Sequence, residues 1–512
     1  MSRTSSSAPA QSLWPRIPAP FVRAVLAGHS ALGLAFAALI YLVCISGVVA
    51  VFAQEYRRWE RPADPTVQVA TPAAMQAAML EGLRREPKPE RLFLTLPTPQ
   101  LPRFLLHTDG SKGDQSFVVD GAGRVVGLDK VTWTEFITDL HIYLQFPPGV
   151  GRYIVGLTGV ALLSSLISGV LAHPRVFRDA FHLRRGGARR LQEADLHNRI
   201  GVWALPFHIT LSLTGALLAL STVIVGVLAL VVFKGNTEKA YALFATPEPA
   251  RNTAAAPPPD LPAMLATVRQ MMPDAAPIYV IVEDPTQVGQ HIAIGVQRPG
   301  RLSRETFGFD HSGKLLGGEA FGARTVGERL YSAVGPAHFG WFGGWPVKLA
   351  YALLGAGLTV VTVSGVSIWL ARRRDKGRPA PRFERIWIAT VWSQPFALAA
   401  TALAVIAVAR VAPLPVWLGA TALALAGAAI LPPARLSLVL RSAAGAILTA
   451  TAAAHVARFA GGPADPAAWI VDASLAVAAA MLVAPELGRL LRPARSPVPQ
   501  GAQARQFEEF PS

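Results

Sequence analysis

Long apolar segments alternate with polar stretches along the 512-residue chain. A bilayer core about 30 Å thick needs roughly 20 apolar residues for each spanning helix. Four uncharged segments meet this length and are predicted as membrane helices: 24–53, 153–172, 200–233 and 349–371. Four weaker, alanine-rich candidates follow, at 386–409, 414–431, 442–457 and 469–484. The pattern predicts a mostly α-helical polytopic membrane protein with about eight transmembrane helices.

Composition agrees with this interpretation and adds an orientation. Hydrophobic residues make up 52% of the chain and charged residues 16%, which is typical of an integral membrane protein with water-exposed parts. Arg and Lys collect before the first helix, after the second and after the fourth, so these segments should be cytoplasmic. The net charge of +16 is then a topology signal, and no nucleic-acid partner is expected. We predict that both termini lie in the cytoplasm.

The predicted organisation has nine parts. They are a cytoplasmic tail with the first helix (1–53), an external domain (54–148), the second helix (149–172), an arginine-rich cytoplasmic loop (173–199), the third helix (200–233), a second external domain (234–344), the fourth helix (345–371), a four-helix extension (386–485) and a cytoplasmic tail (486–512).

The two external segments repeat each other. SFVVDGAGRVVG at 116–127 aligns with TFGFDHSGKLLG at 306–317, and each pattern predicts a β-hairpin after a helix. The membrane segments repeat as well, because GHSALGL…ISG and LHNRIGV…LTG place a histidine at the same distance before a glycine. We therefore expect two copies of helix, small α+β domain and helix, a layout that often places a site between the halves.

Four histidines occupy repeat-related positions. His29 and His197 begin the first and third helices on the cytoplasmic side, whereas His141 and His338 precede the second and fourth on the outer side. Ionisable residues in membrane segments are costly and indicate function. Since two neutral imidazoles from facing helices can clamp haem iron, these four are predicted axial ligands of two haem groups, one near each face.

Other histidines leave alternatives open at the inner site. His173 competes with His29 or His197 for the inner site, or is an ordinary interfacial residue. His208 could be a ligand of the inner haem, a bridge between the two haems or a buried polar residue. We interpret the remaining histidines as surface or loop residues: His107, His182, His291, His311 and His455.

Several chemistries are excluded. The single cysteine, Cys44, excludes internal disulfides, covalent haem attachment through C-x-x-C-H and iron–sulfur ligation. The sequence has no phosphate-binding G-x-x-x-x-G-K-[ST] loop and no H-E-x-x-H pair. It also lacks a G-x-G-x-x-G loop in the cytoplasmic segments, so a cytoplasmic partner or membrane quinol must supply electrons.

The order of elements resembles the PepSY-associated transmembrane family, also described as iron-regulated membrane proteins, which includes inner-membrane ferric-siderophore reductases. The resemblance covers about residues 20–375, through GHSALGL…ISG, LHIYL…GRYIVGLTG…ISGVLAHPR, DLHNRIGVWALPF…LTG and GPAHFG…GLTVVTVSGVSIWLARRR. It implies a PepSY-like unit in each external segment, haem b on His29, His141, His197 and His338, and reduction of ferric siderophores outside. His173 and His208 depart from the family pattern, and 386–485 lies outside it.

Two other functions fit the same layout. A non-redox membrane anchor could use its PepSY units to inhibit peptidases or bind peptides. A transporter could move iron or the siderophore, although Asp472 is the one charged residue in the late spans. Besides lipid, the expected ligand is a ferric siderophore, which Arg152, Arg301 and Lys348 could attract and Trp341, Phe342 and Trp345 could touch, if these residues are not plain interfacial anchors.

Overall fold

The chain is mostly helical, with one antiparallel sheet. The computed structural model describes residues 18–173, 189–244, 248–302, 304–317, 326–408, 410–462 and 465–490. The helices before and around the first half are α1 (Ala19–Ala50), α2 (Ala53–Glu60), α3 (Pro72–Arg85), α4 (Thr132–Tyr143), α5 (Pro148–Ala172), α6 (Arg189–Trp203), α7 (Leu205–Ala219), α8 (Ser221–Val232) and α9 (Thr237–Tyr241). Those that follow are α10 (Leu261–Met271), α11 (Val326–Phe339), α12 (Gly344–Asp375), α13 (Pro381–Ala407), α14 (Pro413–Ile430), α15 (Pro433–Phe459) and α16 (Pro466–Leu490).

Seven of the described helices are long and apolar enough to cross a membrane, namely α1, α5 and α12 to α16. An eighth span results if α6 and α7, which meet at an angle of 69°, are counted together. The break falls at Ala204, and Pro206, which has no N–H to donate, begins the next helix. The predicted continuous helix at 200–233 is therefore wrong, because this stretch consists of the end of α6 and two further helices.

Eight strands, four from each half of the repeat, form a single antiparallel sheet. They are β1 (Pro89–Thr95), β2 (Phe104–Gly110), β3 (Gln115–Val119), β4 (Val125–Leu128), β5 (Ala276–Glu283), β6 (His291–Gln297), β7 (Arg304–Phe309) and β8 (Leu315–Gly317). The order is β4-β3-β2-β1-β5-β6-β7-β8. The two repeats thus join along β1 and β5, which pair antiparallel with Phe93 opposite Ile281.

The repeated hairpin motifs fold in the same way in both halves. Asp120 Oδ1 accepts hydrogen bonds from the backbone N–H groups of Ala122 and Arg124. Asp310 Oδ1 accepts the equivalent pair from Ser312 and Lys314. Gly123 and Gly313 follow with φ of 86° and 80°, a conformation that glycine adopts without steric cost. The predicted hairpins are confirmed, at β3–β4 and β7–β8.

The sheet has two different faces. One packs under α3 and α10 through a continuous apolar core that includes Leu94, Phe104, Val282 and Phe307. Strand alternation sends the intervening side chains to the other face, which we call the second face. There the ring of Phe93 lies between His107 and Tyr279, at centroid distances of 5.6 and 5.9 Å.

The C-terminal extension, α13 to α16, packs against α2 and α4. Trp133 and Phe136 of α4 belong to one apolar cluster with Trp417 of α14. Asp472 of α16 accepts hydrogen bonds from Trp59 Nε1, at 2.8 Å, and from His455 Nδ1, at 2.9 Å. The interpretation of His455 as a surface or loop residue is wrong, since it is only 3% exposed.

A second polar contact fixes the extension to the sheet side of the protein. Asp465, which precedes α16, binds Arg58 of α2 at 2.6 Å and Arg103 beside β2 at 2.8 Å. The Arg103 side chain is 2% exposed and that of Asp465 is 4% exposed. Removing one partner of such a buried pair leaves an uncompensated charge, which costs far more than a surface pair is worth.

We expect Asp465→Ala to lower the free energy of unfolding by about 3 kcal/mol, because Arg58 and Arg103 lose their shared carboxylate. The measurement is a denaturant titration of the full chain in detergent, followed by helical circular dichroism. Glu384→Ala is the matched control, since it removes a partly exposed ion pair with Arg374 and should cost less than about 1 kcal/mol. Equal losses in the two variants would contradict this account of docking.

Candidate functional site

Two of the predicted histidines lie on the sheet side of the membrane helices. His141, in the last turn of α4, directs Nδ1 at the Val43 carbonyl of α1, 3.0 Å away. Its ring rests on Gly47, where an added Cβ would lie 2.7 Å from Cε1. A carbonyl can only accept, so the proton sits on Nδ1 and Nε2 keeps the lone pair with which imidazole binds metals.

His338, in the last turn of α11, repeats this arrangement. Its Nδ1 lies 3.0 Å from Thr214 Oγ1 on α7, and an added Cβ at Gly215 would lie 2.9 Å from its Cε1. The ring centroids of His141 and His338 are 6.2 Å apart and the ring planes differ by 16°. Metal–imidazole bonds of about 2 Å place two axial rings on one metal at about this separation. The sheet-side pair is thus spaced as two ligands of one iron would be.

The other two predicted ligands lie on the distal side, opposite the sheet. His29 of α1 places Nδ1 3.0 Å from the Ser165 carbonyl of α5, with Gly169 beside the ring. His197 of α6 places Nδ1 3.0 Å from the Val361 carbonyl of α12. Gly365 lies beside that ring in turn. All four histidines therefore make the same two contacts with a neighbouring helix: Nδ1 lies at hydrogen-bond distance from an oxygen of that helix, and the ring packs against one of its glycines.

The distal pair lines a cavity of about 280 Å³ between α1, α5, α6 and α12. His29, His197 and His173 all contribute to its wall, together with Asn198 and Arg372. Most of the remaining lining is aliphatic, so the cavity offers a flat ligand an apolar interior and polar groups at one end. Arg372 could pair with a carboxylate on such a ligand.

The donor set suits a macrocyclic metal centre better than a bare ion. Within the described part of the chain, no group of three or more His, Cys, Asp or Glu side chains could hold a metal ion. A bare zinc ion needs three or four protein ligands, whereas haem iron already has four porphyrin nitrogens and needs only one or two axial ligands. Paired histidines with free Nε2 atoms therefore fit haem.

The two alternative inner ligands are placed differently. His173 ends α5 and lines the distal cavity. His208 is fully buried in α7, where Nε2 lies 3.2 Å from the Leu354 carbonyl and Nδ1 has no partner among the described residues. It is absent from the cavity wall, and the bend at Ala204 removes the straight helix that would have put it on the same face as His197.

The histidines outside the membrane helices have mixed outcomes. His107 lies in β2 with Nδ1 2.6 Å from Ser116 Oγ, and burial lowers its pKa to about 4. His291 begins β6 and is buried beside Glu283, so neither of these two is the surface or loop residue that we expected. His311 is an exposed turn residue, as predicted. His182 lies outside the described residues.

The repeated histidines and glycines are visible in the sequence, but their spacing along the chain does not show which glycine contacts which histidine. His29 and Gly47 belong to the same helix, and their recurrence in the second half shows the repeat. In the structure, however, the His141 ring packs against Gly47, and the His29 ring packs against Gly169. Each of these contacts therefore joins a histidine of one helix to a glycine of a different helix.

Comparison with known proteins agrees with this architecture. Uncharacterized protein PA4219 of Pseudomonas aeruginosa is 31% identical over 254 residues, which cover 47% of this chain and 64% of that relative. A family model described as the PepSY-associated TM region matches residues 26–372, from α1 to the end of α12, and thus contains all four anchored histidines. This chain is a multi-pass membrane protein that belongs to the PepSY-associated transmembrane family.

Proposed function

We propose that the protein is a haem-b-containing oxidoreductase of the bacterial inner membrane, which carries electrons across the bilayer and reduces ferric siderophores on the sheet side. The supporting observation is the pair of repeat-related histidines near each membrane face. Each ring is fixed through Nδ1 to a neighbouring helix and leaves Nε2 to bind a metal. The distal pair would hold one haem and the sheet-side pair another.

The residues of the chain would perform the binding and positioning. When bound, haem would supply a one-electron Fe(III)/Fe(II) couple at each pair. His141 and His338 would fix the sheet-side iron, and their orientation is held by Val43 and Thr214. On the distal side Arg372 would pair with the propionates, while the aliphatic walls of the cavity would exclude water.

The orientation is supported by the charges at the end of α12. This helix begins next to the sheet and ends on the distal side with Arg372, Arg373 and Arg374. Basic residues at the end of a spanning helix stay in the cytoplasm. The sheet and its adjacent histidine pair would then lie outside the cytoplasm, and a cytoplasmic partner or a membrane quinol would deliver electrons to the distal side.

Reduction is a chemically sufficient way to release iron from a siderophore. Hard oxygen ligands hold Fe(III) strongly, and the softer, less charged Fe(II) binds to them far more weakly. One electron per iron is enough, and no bond of the chelator has to break. The protein would therefore need an electron path and a binding surface, without a nucleophile or an acid–base pair.

The first test counts haem in the purified protein. We expect about two b-type haems per chain in a reduced-minus-oxidised spectrum, and the loss of about one in either His141→Ala or His197→Ala. His311→Ala, which changes an exposed turn residue, should retain both. A colourless wild-type protein after expression with added haem would overturn the proposal and favour a non-redox PepSY anchor or a transporter.

A second test uses the glycine beside the sheet-side ligand. Gly47→Ala places a methyl group 2.7 Å from His141 Cε1 and must displace the ring. We expect haem affinity at this pair to fall about tenfold or more, the usual effect of disturbing an orienting contact. Gly226→Ala on α8 meets no atom within 4 Å and lies outside the distal cavity, so it should leave the spectrum unchanged. Equal spectra for the two variants would show that Gly47 does not position a ligand.

A further inference from the structure

The second face of the sheet carries a partly buried cation that lacks a counter-charge. Arg304 of β7 lies beside Trp341, with Cζ 4.4 Å from the centroid of the indole ring. Its Nε is buried without a hydrogen-bond partner among the described residues. Within the described ranges no carboxylate forms an ion pair with this guanidinium, in contrast to Arg91 on the same sheet, which pairs with Asp109.

An unpaired and desolvated charge is costly, and burial lowers the pKa of the Arg304 guanidinium accordingly. Such a cost is compensated when an anion binds, because the ligand then supplies the missing charge and hydrogen-bond acceptors. Exposure of Arg304 is intermediate, so a ligand can reach the group from the second face.

Two further aromatic rings, those of Tyr279 and Phe93, lie on the same face of the sheet. Tyr279 lies flat over Gly295, where a Cβ would come within 2.2 Å of the ring, and its hydroxyl is 2.9 Å from Thr306 Oγ1. The ring planes of Tyr279 and Phe93 differ by only 25°. The Tyr279 ring on the second face is thus held in place by its packing on Gly295 and by the hydrogen bond between its hydroxyl and Thr306.

A chain of aromatic contacts connects Arg304 and Trp341 with the sheet-side histidine pair. Trp341 stacks on Phe339 with ring centroids 4.2 Å apart, and Phe339 contacts His338 at 5.5 Å. A ligand on Arg304 and Trp341 would therefore lie two aromatic contacts from a proposed haem ligand. Trp341 is 39% exposed, so part of its ring remains available.

We propose that Arg304, Trp341 and Tyr279 bind an anionic, aromatic iron chelate of the phenolate or catecholate type; this rests on the proposed function, which makes such iron the substrate. The guanidinium provides charge and donors to the phenolate oxygens, and the rings stack on the aromatic groups of the chelate. A neutral aliphatic hydroxamate chelate matches neither feature. The site therefore selects among siderophores by charge and aromaticity.

The test measures binding, separately from reduction. Full-length protein in detergent is dialysed to equilibrium against labelled iron as the 2,3-dihydroxybenzoate complex, which is anionic and aromatic, or as the acetohydroxamate complex, which is neutral. We expect Arg304→Gln to weaken binding of the first complex about tenfold, as expected for lost hydrogen bonds to a charged group. Arg301→Gln removes the same charge from an exposed neighbour and should change affinity less than about twofold.

Two further variants guard against misfolding as the cause. Arg304→Lys keeps the charge but loses the planar fork, and it should bind with intermediate affinity. Trp341→Leu leaves Arg304 in place and should weaken the aromatic complex several-fold by removing the ring. Both substitutions should leave the acetohydroxamate complex, which binds weakly to the wild type, unaffected.

Failure of this site and failure of the redox proposal give different results. If His141→Ala loses a haem, and binding of the dihydroxybenzoate complex still depends on Arg304 in that variant, both proposals stand. If the wild type lacks haem but shows Arg304-dependent binding, the site stands and the reductase fails. If haem is present and Arg304→Gln binds like Arg301→Gln, or if the neutral complex binds as tightly as the anionic one, the site is wrong.

Discussion

The anchoring of an imidazole Nδ1 by a neighbouring helix is the contact on which the rest of the proposed site depends. A histidine free to rotate would have no preferred tautomer, whereas His141 and His29 each face a carbonyl that accepts only from a protonated nitrogen. The ring also approaches the helix closely, so that an added Cβ would lie 2.7 Å from His141 at Gly47 and 3.3 Å from His29 at Gly169. The packing of the neighbouring helix therefore also fixes the orientation of the histidine ring.

The same histidine and glycine contacts occur in both halves of the internal repeat, and the two halves are joined through one sheet. β1 and β5 pair antiparallel at the centre of the sheet, so the strand order reads the same from both edges. His141 from the first half and His338 from the second then meet with their centroids 6.2 Å apart. Neither half contains both histidines, so this pair forms only where the two halves meet.

The sequence predicted the features that depend on local pattern and missed those that depend on packing. Hydrophobic length identified the spans, and the Asp120 and Asp310 turns identified the hairpins, because both are set within a few residues. The bend at Ala204, the burial of His455 and the unpaired Arg304 all arise from contacts between distant segments. The hydrophobic pattern within one segment cannot predict which distant segment will pack against it.

The C-terminal extension illustrates how such distant contacts reach the site. It lies beyond the family region, yet Trp417 packs on α4, the twelve-residue helix whose last turn holds His141. A helix this short has little stability of its own and depends on the surfaces that cover it. Asp472 and Asp465 fix the covering helices to α2 and to the sheet through buried hydrogen bonds. The extension therefore supports the position of His141 without contributing a ligand.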